Sequence, residues 1–143
     1  MQVKDLMTLD VEVVRPDTPL REAAEKMRSL NVGVMPVCDG TKLLGMLTDR
    51  DITVRATALG RDPNSTTVGD TMTPDVAFCY EDQDVSEVAE LMQQLQVRRI
   101  PIVNRAKELV GIVSLGDIAV DGTNDKLSSQ VIEDVSQPAR PER

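Results

Sequence analysis

The chain contains 143 residues, of which 41% are hydrophobic, and carries a formal net charge of −8 from 24 acidic and 16 basic residues. This length suits one ordinary domain or two small repeats that share a core. The negative charge repels nucleic acid and anionic lipid, and one Phe and one Tyr provide no stacking platform for single-stranded nucleic acid. We therefore expect a folded protein with no nucleic acid and no membrane among its partners.

The N-terminal residues contain no basic segment followed by an apolar run, and no apolar stretch reaches the roughly 18 residues of a membrane span. The sequence therefore predicts no secretory signal and no transmembrane helix, and we expect a cytoplasmic location. Cys38 and Cys79 lack CxxC spacing and basic neighbours, so we expect two buried, unreactive thiols rather than a redox or metal site. The absence of histidine removes most zinc sites and most catalytic groups that pair histidine with serine or cysteine.

The first half of the sequence is repeated in the second half. At a shift of 65 positions, residues 3–38 align with residues 68–103, and 14 of the 36 aligned pairs are identical. After one additional residue in the second repeat, the alignment continues at a shift of 66, so that Asp51 corresponds to Asp117. This similarity indicates an internal duplication of one structural unit.

The duplication divides the chain into segments. We predict a first repeat over residues 1–60, a linker rich in polar turn-forming residues over 61–67, and a second repeat over 68–120. A further short helix is expected over 121–136. The tail at 137–143 contains two prolines and is expected to be disordered.

Each repeat is predicted to form a short strand, a helix, two strands and a second helix. The first strands are expected at 11–14 and 76–79, where β-branched and apolar residues dominate. The first helices follow, with Thr18 and Asp84 as N-caps and Pro19 as a favourable first helical residue. Helical spacing places one apolar stripe on each of these helices, formed by Leu20, Ala23, Ala24, Met27 and Leu30 and by Val85, Val88, Ala89, Met92 and Leu95.

The next two strands of each repeat are predicted to form a β-hairpin. In the first repeat, a strand over 34–38 leads to a turn at residues 39–40, and the second helix follows over about 49–59. Pro36 and Pro101 remove a ladder donor, which predicts a position at a strand start or a sheet edge. Because one repeat cannot bury both faces of a three-stranded sheet, we predict an α+β fold in which two β-α-β-β-α repeats pack by pseudo-twofold symmetry around a shared cleft.

A hydroxyl and a carboxylate three residues apart follow the last strand of each repeat. They are Thr48 and Asp51 in residues 48–51, here called the first corner, and Ser114 and Asp117 in residues 114–117, here called the second corner. One interpretation is a capping box, in which both side chains bind backbone N–H groups at the start of a helix. The other is a ligand site, because a helix N-terminus attracts phosphate and a carboxylate can accept hydrogen bonds from ribose hydroxyls. The duplication favours the ligand site.

The sequence resembles a tandem pair of CBS domains, named after cystathionine β-synthase and also called a Bateman module, over about residues 3–119. The motifs that carry this resemblance are Met7-Thr8 followed by the helix over 22–27, the run at 97–102, and the run at 111–114 that leads to Asp117. Together and in duplicate, these motifs are highly specific. The resemblance implies the β-α-β-β-α repeat, a disc formed by two modules, and clefts for adenosine-containing ligands such as AMP, ADP, ATP or S-adenosylmethionine.

The family pattern assigns roles to particular residues of this sequence. By this resemblance, Thr48 and Ser114 would contact phosphate, and Asp51 and Asp117 would hold the ribose. Residues at the strand starts would lie against adenine, namely Val11, Val34 and Pro36 in one cleft and Val76, Arg99 and Pro101 in the other.

The two corners differ in charge. The first contains an additional carboxylate, Asp49, partly offset by Arg50, whereas the second has no acidic residue at that position and contains Gly116. Gly116 permits close backbone approach, and Arg98 and Arg99 add positive charge unless they form only a solvated pair on a strand edge. We therefore expect the second cleft to bind a phosphorylated adenosine more tightly.

These inferences predict a stand-alone regulatory module rather than an enzyme. It would sense an adenosine-containing nucleotide as a regulatory ligand, require no further cofactor or metal, form a homodimer and signal to an unknown effector protein. One alternative is a structural dimerisation module with vestigial clefts. Another is a Mg²⁺-dependent nucleotide hydrolase that uses Asp49 and Asp51, although the second repeat lacks a counterpart of Asp49.

Overall fold

The structure, a computed structural model, describes residues 1–121. Its helices and strands, in chain order, are α1 (Leu20–Leu30), β1 (Val34–Asp39), β2 (Lys42–Thr48), α2 (Asp49–Arg55), β3 (Thr73–Pro74), β4 (Cys79–Tyr80), α3 (Val85–Leu95), β5 (Arg99–Val103), β6 (Leu109–Ser114) and α4 (Leu115–Asp121). Short 3-10 helices lie at Val3–Asp5 and Thr57–Leu59. The helix expected over 121–136 lies outside the described residues except at its first position, as does the whole tail at 137–143. Within the described part, no helix combines the length and hydropathy needed to cross a membrane.

The strands form two three-stranded sheets, ordered β1-β2-β3 and β4-β5-β6. The predicted hairpin is present in the first sheet, where β1 and β2 pair antiparallel with Val34 opposite Thr48 and Asp39 opposite Lys42. Gly40 occupies the turn with φ +62°, a left-handed backbone conformation that glycine adopts without strain. The predicted α+β class and the repeated unit are thereby confirmed.

Contacts divide the chain into two compact units. The first unit comprises Glu12–Val76 and Lys107–Leu109 and contains the first corner. The second unit comprises Met1–Val11, Ala77–Ala106 and the described residues from Val110 onward, and contains the second corner. Each unit has a hydrophobic core of its own.

The two cores are built almost entirely from aliphatic and sulfur-containing side chains. The core of the first unit consists of Val14, Leu20, Ala23, Met27, Met35, Val37, Leu47, Ala56 and Val68. The core of the second unit consists of Val3, Leu6, Cys79, Val85, Val88, Ala89, Met92, Ile100, Ile102, Val113, Leu115 and Ile118. Most of the predicted stripe on α1 and α3 is therefore buried, but Leu30 and Leu95 at the helix ends are each 45% exposed and Ala24 is exposed. A fully buried Leu, Ile or Val contributes about 1.5–3 kcal/mol, so these stripes fix both helices to their sheets.

The units are offset from the repeat boundaries predicted from the sequence. Thr8, near the N-terminus, pairs with Ile112 of β6 through two backbone hydrogen bonds of 2.8 and 3.1 Å in the second unit. The corresponding residue, Thr73 in β3, pairs with Met46 of β2 in the first unit. Each Met-Thr motif therefore pairs with the last strand of the opposite repeat.

The first strand of each repeat is shorter than predicted. Residues 11–14 form no strand, and Val14 makes a single parallel bridge with Val37, while β4 begins at Cys79 instead of residue 76. The cause is the proline one position earlier on the neighbouring strand. Val14 N–H donates to Pro36 O, and the next hydrogen bond of a parallel ladder would require the N–H that Pro36 lacks.

The positions of the two prolines differ in part from the prediction. Pro36 is the third residue of β1, which is an edge strand, whereas Pro101 is the third residue of β5, the central strand of its sheet. Neither is at a strand start, and both are buried. Pro101 is tolerated because β4 pairs with β5 only at Ile102 and Val103, beyond the proline.

The helix boundaries also correct two expectations. Thr18 does not cap α1, since its Oγ1 accepts a hydrogen bond from Arg15 N–H at 3.1 Å and Pro19 occupies the N-cap. The helix expected over about 49–59 is interrupted, because α2 ends at Arg55 and a 3-10 turn follows. Asp84 caps α3 as predicted, by accepting the N–H of Ser86.

We predict that Gly45→Ala lowers the free energy of unfolding by about 1–3 kcal/mol, because overpacking forces backbone to move. The added Cβ would collide with the carbonyl oxygen of Thr73 and lie 3.1 Å from Pro74 Cα, in the pairing between β2 and β3. Gly116→Ala is the matched control, since its Cβ would lie 3.6 Å from Ser114 Oγ, an ordinary contact. Urea unfolding measures both variants, and equal midpoints would contradict the close β2–β3 approach.

Candidate functional sites at the two corners

The hairpin in the first unit positions the first corner. The antiparallel register of β1 and β2 places Thr48 opposite Val34. The first N–H of α2, from Asp49, donates to Gly33 O at 2.9 Å, so the helix start is tied to the residue before β1. The second corner is tied in the same way, because Leu115 N–H donates to Arg98 O at 2.7 Å.

Both corners contain reciprocal capping hydrogen bonds. At the first, Asp51 N–H donates to Thr48 Oγ1 and Thr48 N–H donates to Asp51 Oδ2, both at 3.0 Å. At the second, Asp117 N–H donates to Ser114 Oγ at 3.1 Å and Ser114 N–H donates to Asp117 Oδ2 at 2.8 Å. The capping interpretation therefore describes real contacts, and the same atoms form the candidate ligand site.

The carboxylate of the first corner has additional partners. The Thr73 hydroxyl donates to Asp51 Oδ1 at 3.3 Å, and Arg55 Nε lies 3.8 Å from the same oxygen. The Asp51 side chain is only 12% exposed. Thr73 and Arg55 were absent from the predicted site, although the spacing from Asp51 to Arg55, one helical turn, was a signal for the ion pair.

The carboxylate of the second corner is less constrained. Within residues 1–121, Asp117 bonds only with Ser114, and its Oδ1 accepts no hydrogen bond from a described residue. Gly116 is exposed at the start of α4. Arg98 and Arg99 are both exposed and form no ion pair within the described chain.

The Asp49 carboxylate is held by a backbone N–H and not by the side chain of Arg50. Its Oδ1 accepts a hydrogen bond from Arg50 N–H at 2.8 Å. Arg50 was expected to offset the charge of Asp49. Among the described residues, no ion pair joins the two side chains, so the Arg50 guanidinium does not contact the Asp49 carboxylate. Arg50 is exposed.

Most of the predicted residues of each site lie in the same unit as their corner, but not all. The first unit contains Val34, Pro36, Thr48, Arg50 and Asp51, together with Val76; the second unit contains Arg98, Arg99, Pro101, Ser114, Gly116 and Asp117, together with Val11. Val11 and Val76 thus belong to the opposite unit from the corner to which they were assigned. The exchange of the Met-Thr motifs between the repeats explains this, since each valine follows such a motif by a few residues.

A groove of about 300 Å³ lies elsewhere in the second unit. It is lined by Phe78, Cys79, Gln83, Glu87, Glu90, Leu91 and Gln94. None of these residues belongs to a corner. In the described residues, no three of the side chains that commonly bind metals form a cluster suited to a metal ion.

Both cysteines are free and buried. Burial raises the pKa of the Cys38 thiol, and burial together with the charge of Glu87 raises the pKa of Cys79 to about 11. Both causes disfavour the thiolate, which is the reactive form. The cysteines therefore lie in environments that suppress nucleophilic and redox chemistry.

A CBS domain family model matches residues 3–56 and 68–120. The chain is 41% identical over 134 residues to the CBS domain-containing protein YhcV of Bacillus subtilis, covering 94% of both chains. The structure is similar to that of Hypoxic Response Protein I with two coordinated zinc ions, at a TM-score of 0.76 and 37% identity over 83% of this chain and 97% of that one. It is also similar to CBSX2 in complex with AMP, at a TM-score of 0.73 and 28% identity over 82% of this chain and 93% of that one. These matches confirm the resemblance found in the sequence.

We predict that Thr48→Ala and Ser114→Ala each lower the free energy of unfolding by about 1 kcal/mol without ligand, because each removes an N-cap acceptor. Thr53→Ala is the control, since this exposed threonine lies inside α2 and its hydroxyl donates to Asp49 O. Chemical denaturation compares the variants. A Thr48→Ala variant no less stable than Thr53→Ala would contradict the capping contribution.

We predict that Cys79 reacts with iodoacetamide at pH 8 about a hundredfold more slowly in the folded protein than in urea, since two pKa units reduce the thiolate fraction by that factor. By the same linkage, unfolding becomes easier between pH 9 and 11, where only the unfolded thiol ionises. A Cys79→Ala variant loses this part of the pH dependence. Equal alkylation rates in folded and unfolded protein would contradict the assignment.

Proposed function

The chain belongs to the CBS domain family, and we propose that it is a regulatory module that binds an adenosine-containing nucleotide. CBS domains are usually regulatory modules and not catalytic ones. The observation that carries the proposal is the second corner. There α4 begins at Leu115, directly after Ser114, so no acidic residue stands where the first corner has Asp49. Gly116 and Asp117 follow in the first turn. The AMP bound to CBSX2 supports the same class of ligand.

Ser114 can keep its capping role and bind a phosphate at the same time. Its Oγ accepts the Asp117 N–H, which leaves the hydroxyl proton to donate to a phosphate oxygen. Gly116 has no side chain to shield its own N–H, and Leu115 offers no acceptor for it. We expect the Ser114 hydroxyl and the Gly116 N–H to donate hydrogen bonds to the phosphate, with Arg98 supplying positive charge beside them.

Asp117 would hold the ribose. One of its oxygens, Oδ2, is committed to Ser114 N–H, whereas Oδ1 has no partner among the described residues. A ribose hydroxyl can donate to Oδ1 without breaking the cap. The exposed guanidinium of Arg99 can then stack on the adenine ring, a contact that its planar shape favours.

The corners would differ in affinity for phosphate. At the first, Asp49 already accepts the Arg50 N–H, and Asp51 is engaged by Thr73 and Arg55. The second has neither obstacle. We therefore infer that a phosphorylated adenosine binds more tightly at the second corner.

Regulation requires that a partner distinguishes the bound from the free state, because a ligand shifts an equilibrium only by its different affinity for two conformations. We expect an effector protein in the cytoplasm and a homodimer as the working form. We expect a second copy to cover exposed apolar side chains of the first unit, among them Leu30, Val54 and Leu59, which are 45%, 49% and 65% exposed.

We predict that Asp117→Ala weakens AMP binding roughly tenfold to a hundredfold, the range for a lost hydrogen bond to a charged group, while Asp51→Ala changes it less than about threefold. The two variants are matched controls, because each removes the same capping carboxylate. Isothermal titration calorimetry measures the effect. Equal losses in both variants would contradict the inferred difference between the corners.

A thermal-shift panel with AMP, ADP, ATP, S-adenosylmethionine and NAD separates the remaining functions. A sensor must gain melting temperature with at least one adenosine compound, since a ligand selective for the folded state stabilises it. No shift with any compound would favour a structural dimerisation module. If the chain instead releases phosphate from ATP in the presence of Mg²⁺, and Asp49→Ala abolishes this release, the result would favour a hydrolase.

A further inference from the structure

The groove of the second unit combines an apolar lining with two acidic side chains. Phe78 and Leu91 are partly buried, Cys79 is buried, and Glu87 and Glu90 are exposed. Residues three apart on a helix are neighbours on one face, so α3 presents both carboxylates to the same groove. The volume of about 300 Å³ is at the lower end of the range for ligand pockets, roughly 300–1,000 Å³, and suits one long side chain.

Both carboxylates are held by carboxamides and not by cations. Gln83 Nε2 donates to Glu87 Oε2 at 2.9 Å, and Gln94 Nε2 donates to Glu90 Oε1 at 3.5 Å. The Gln83 carboxamide is itself fixed, because its Oε1 accepts the Tyr80 N–H at 2.7 Å. Within residues 1–121, neither glutamate takes part in an ion pair. Each therefore retains one carboxylate oxygen that accepts no hydrogen bond from a described residue.

The first repeat contains the same two glutamates together with basic residues. At the shift of 65 positions, Glu22 and Glu25 of α1 correspond to Glu87 and Glu90 of α3. Three basic residues of α1 have uncharged counterparts on α3, since Arg21, Lys26 and Arg28 correspond to Ser86, Leu91 and Gln93. On α1, one of these cations forms an ion pair of 3.6 Å with Glu25. The second repeat thus keeps the two negative charges and lacks the neighbouring positive ones.

The same unit shows how a guanidinium binds an aromatic ring and a carboxylate together. Arg105 Cζ lies 4.2 Å from the centroid of the Tyr80 ring, and Arg105 Nη2 lies 2.9 and 3.0 Å from the two carboxylate oxygens of Asp82. Phe78 contacts Tyr80 edge to face, with the ring centroids 5.7 Å apart. The groove beside Phe78 offers a second aromatic ring with carboxylates, but no basic residue lines it.

We propose that this groove is a docking site for a partner polypeptide, which inserts an arginine side chain between Phe78 and the two glutamates. The aliphatic stem of the arginine packs against Leu91, and the guanidinium stacks on the Phe78 ring. Its N–H groups donate to the available oxygens of Glu87 and Glu90. Arginine suits the groove better than lysine does, because a planar guanidinium can stack and donate to two carboxylates at once.

The charge of the whole chain supports a basic partner, because a net charge of −8 attracts positively charged polypeptides. The proposal does not rest on nucleotide binding, since no residue that lines the groove belongs to a corner. Its test contains no nucleotide, so its failure would leave the proposed function standing.

The test is an NMR titration of the isotope-labelled full chain with a capped peptide of glycines around one central arginine. We expect the amide resonances of Phe78, Glu87 and Leu91 to shift saturably. A peptide with citrulline, the uncharged analogue of arginine, should bind at least about tenfold more weakly, because it loses the charge-assisted hydrogen bonds. The lysine peptide should have an intermediate affinity.

The duplication provides a matched control for the glutamates. We expect Glu87→Gln combined with Glu90→Gln to weaken binding of the arginine peptide at least about tenfold, and Glu22→Gln combined with Glu25→Gln to change it less than about threefold. Both pairs are exposed and remove the same charge. Leu91→Lys places the lysine of the first repeat beside the glutamates and should also weaken binding. Urea unfolding checks that each variant is folded, and the glutamine pairs decide if Leu91→Lys fails to fold.

Three results would each overturn the proposal: equal affinities for the arginine and citrulline peptides, equal effects of the two glutamine pairs, or no saturable shift at tens of millimolar arginine peptide. Analytical ultracentrifugation of the chain without peptide tests a second copy as the occupant. If the glutamine pair on α3 dissociates a dimer that the pair on α1 leaves intact, a second copy covers the groove and the proposed partner is wrong.

Discussion

The reciprocal hydrogen bonds between a hydroxyl and a carboxylate three residues later determine what each corner can do. They satisfy N–H groups at the start of α2 and α4 that have no partner inside the helix. They also fix the carboxylate relative to the end of the preceding strand. The proposed nucleoside site and the helix cap therefore use the same residues at the same spacing, and one does not exclude the other.

What differs between the corners is the number of donors and acceptors left over. Asp51 is surrounded by Thr73 and Arg55, and the Arg50 N–H is taken by Asp49. Asp117 retains an oxygen with no partner among the described residues. The two corners belong to duplicated sequences, and the residues beside them differ, since Arg98 is the counterpart of Gly33 and Leu115 the counterpart of Asp49. The asymmetry is thus a property of side chains on a shared backbone arrangement.

Local features were accessible from the sequence. The hairpin turn at Gly40, the apolar stripe around Leu20 and Met27 and the capping pair at Ser114 follow from rules that act within a few residues. The pairing of Thr8 with Ile112 could not be predicted in this way, because it joins segments that are distant in sequence and depends on tertiary packing.

Two other predictions from the sequence, a strand and a helix cap, were wrong for local physical reasons. The strand at 11–14 is reduced to one bridge because Pro36 lacks the donor that its extension would need. Thr18 was a plausible cap, but its hydroxyl closes the turn that begins at Arg15. Thr73 could not be predicted as a partner of Asp51 because it reaches the first corner from the exchanged segment, whereas the spacing from Asp51 to Arg55 was a signal for the ion pair.

The backbone amide of Gly116, followed by NMR during titration with AMP, tests the second corner as the phosphate site most directly. We expect this amide resonance to shift strongly and saturably, because a phosphate oxygen accepts its hydrogen bond, while the Arg50 amide resonance remains nearly unchanged. A Gly116 resonance that stays in place at saturating AMP, or an Arg50 amide that shifts most, would contradict the assignment of the second corner as the phosphate site.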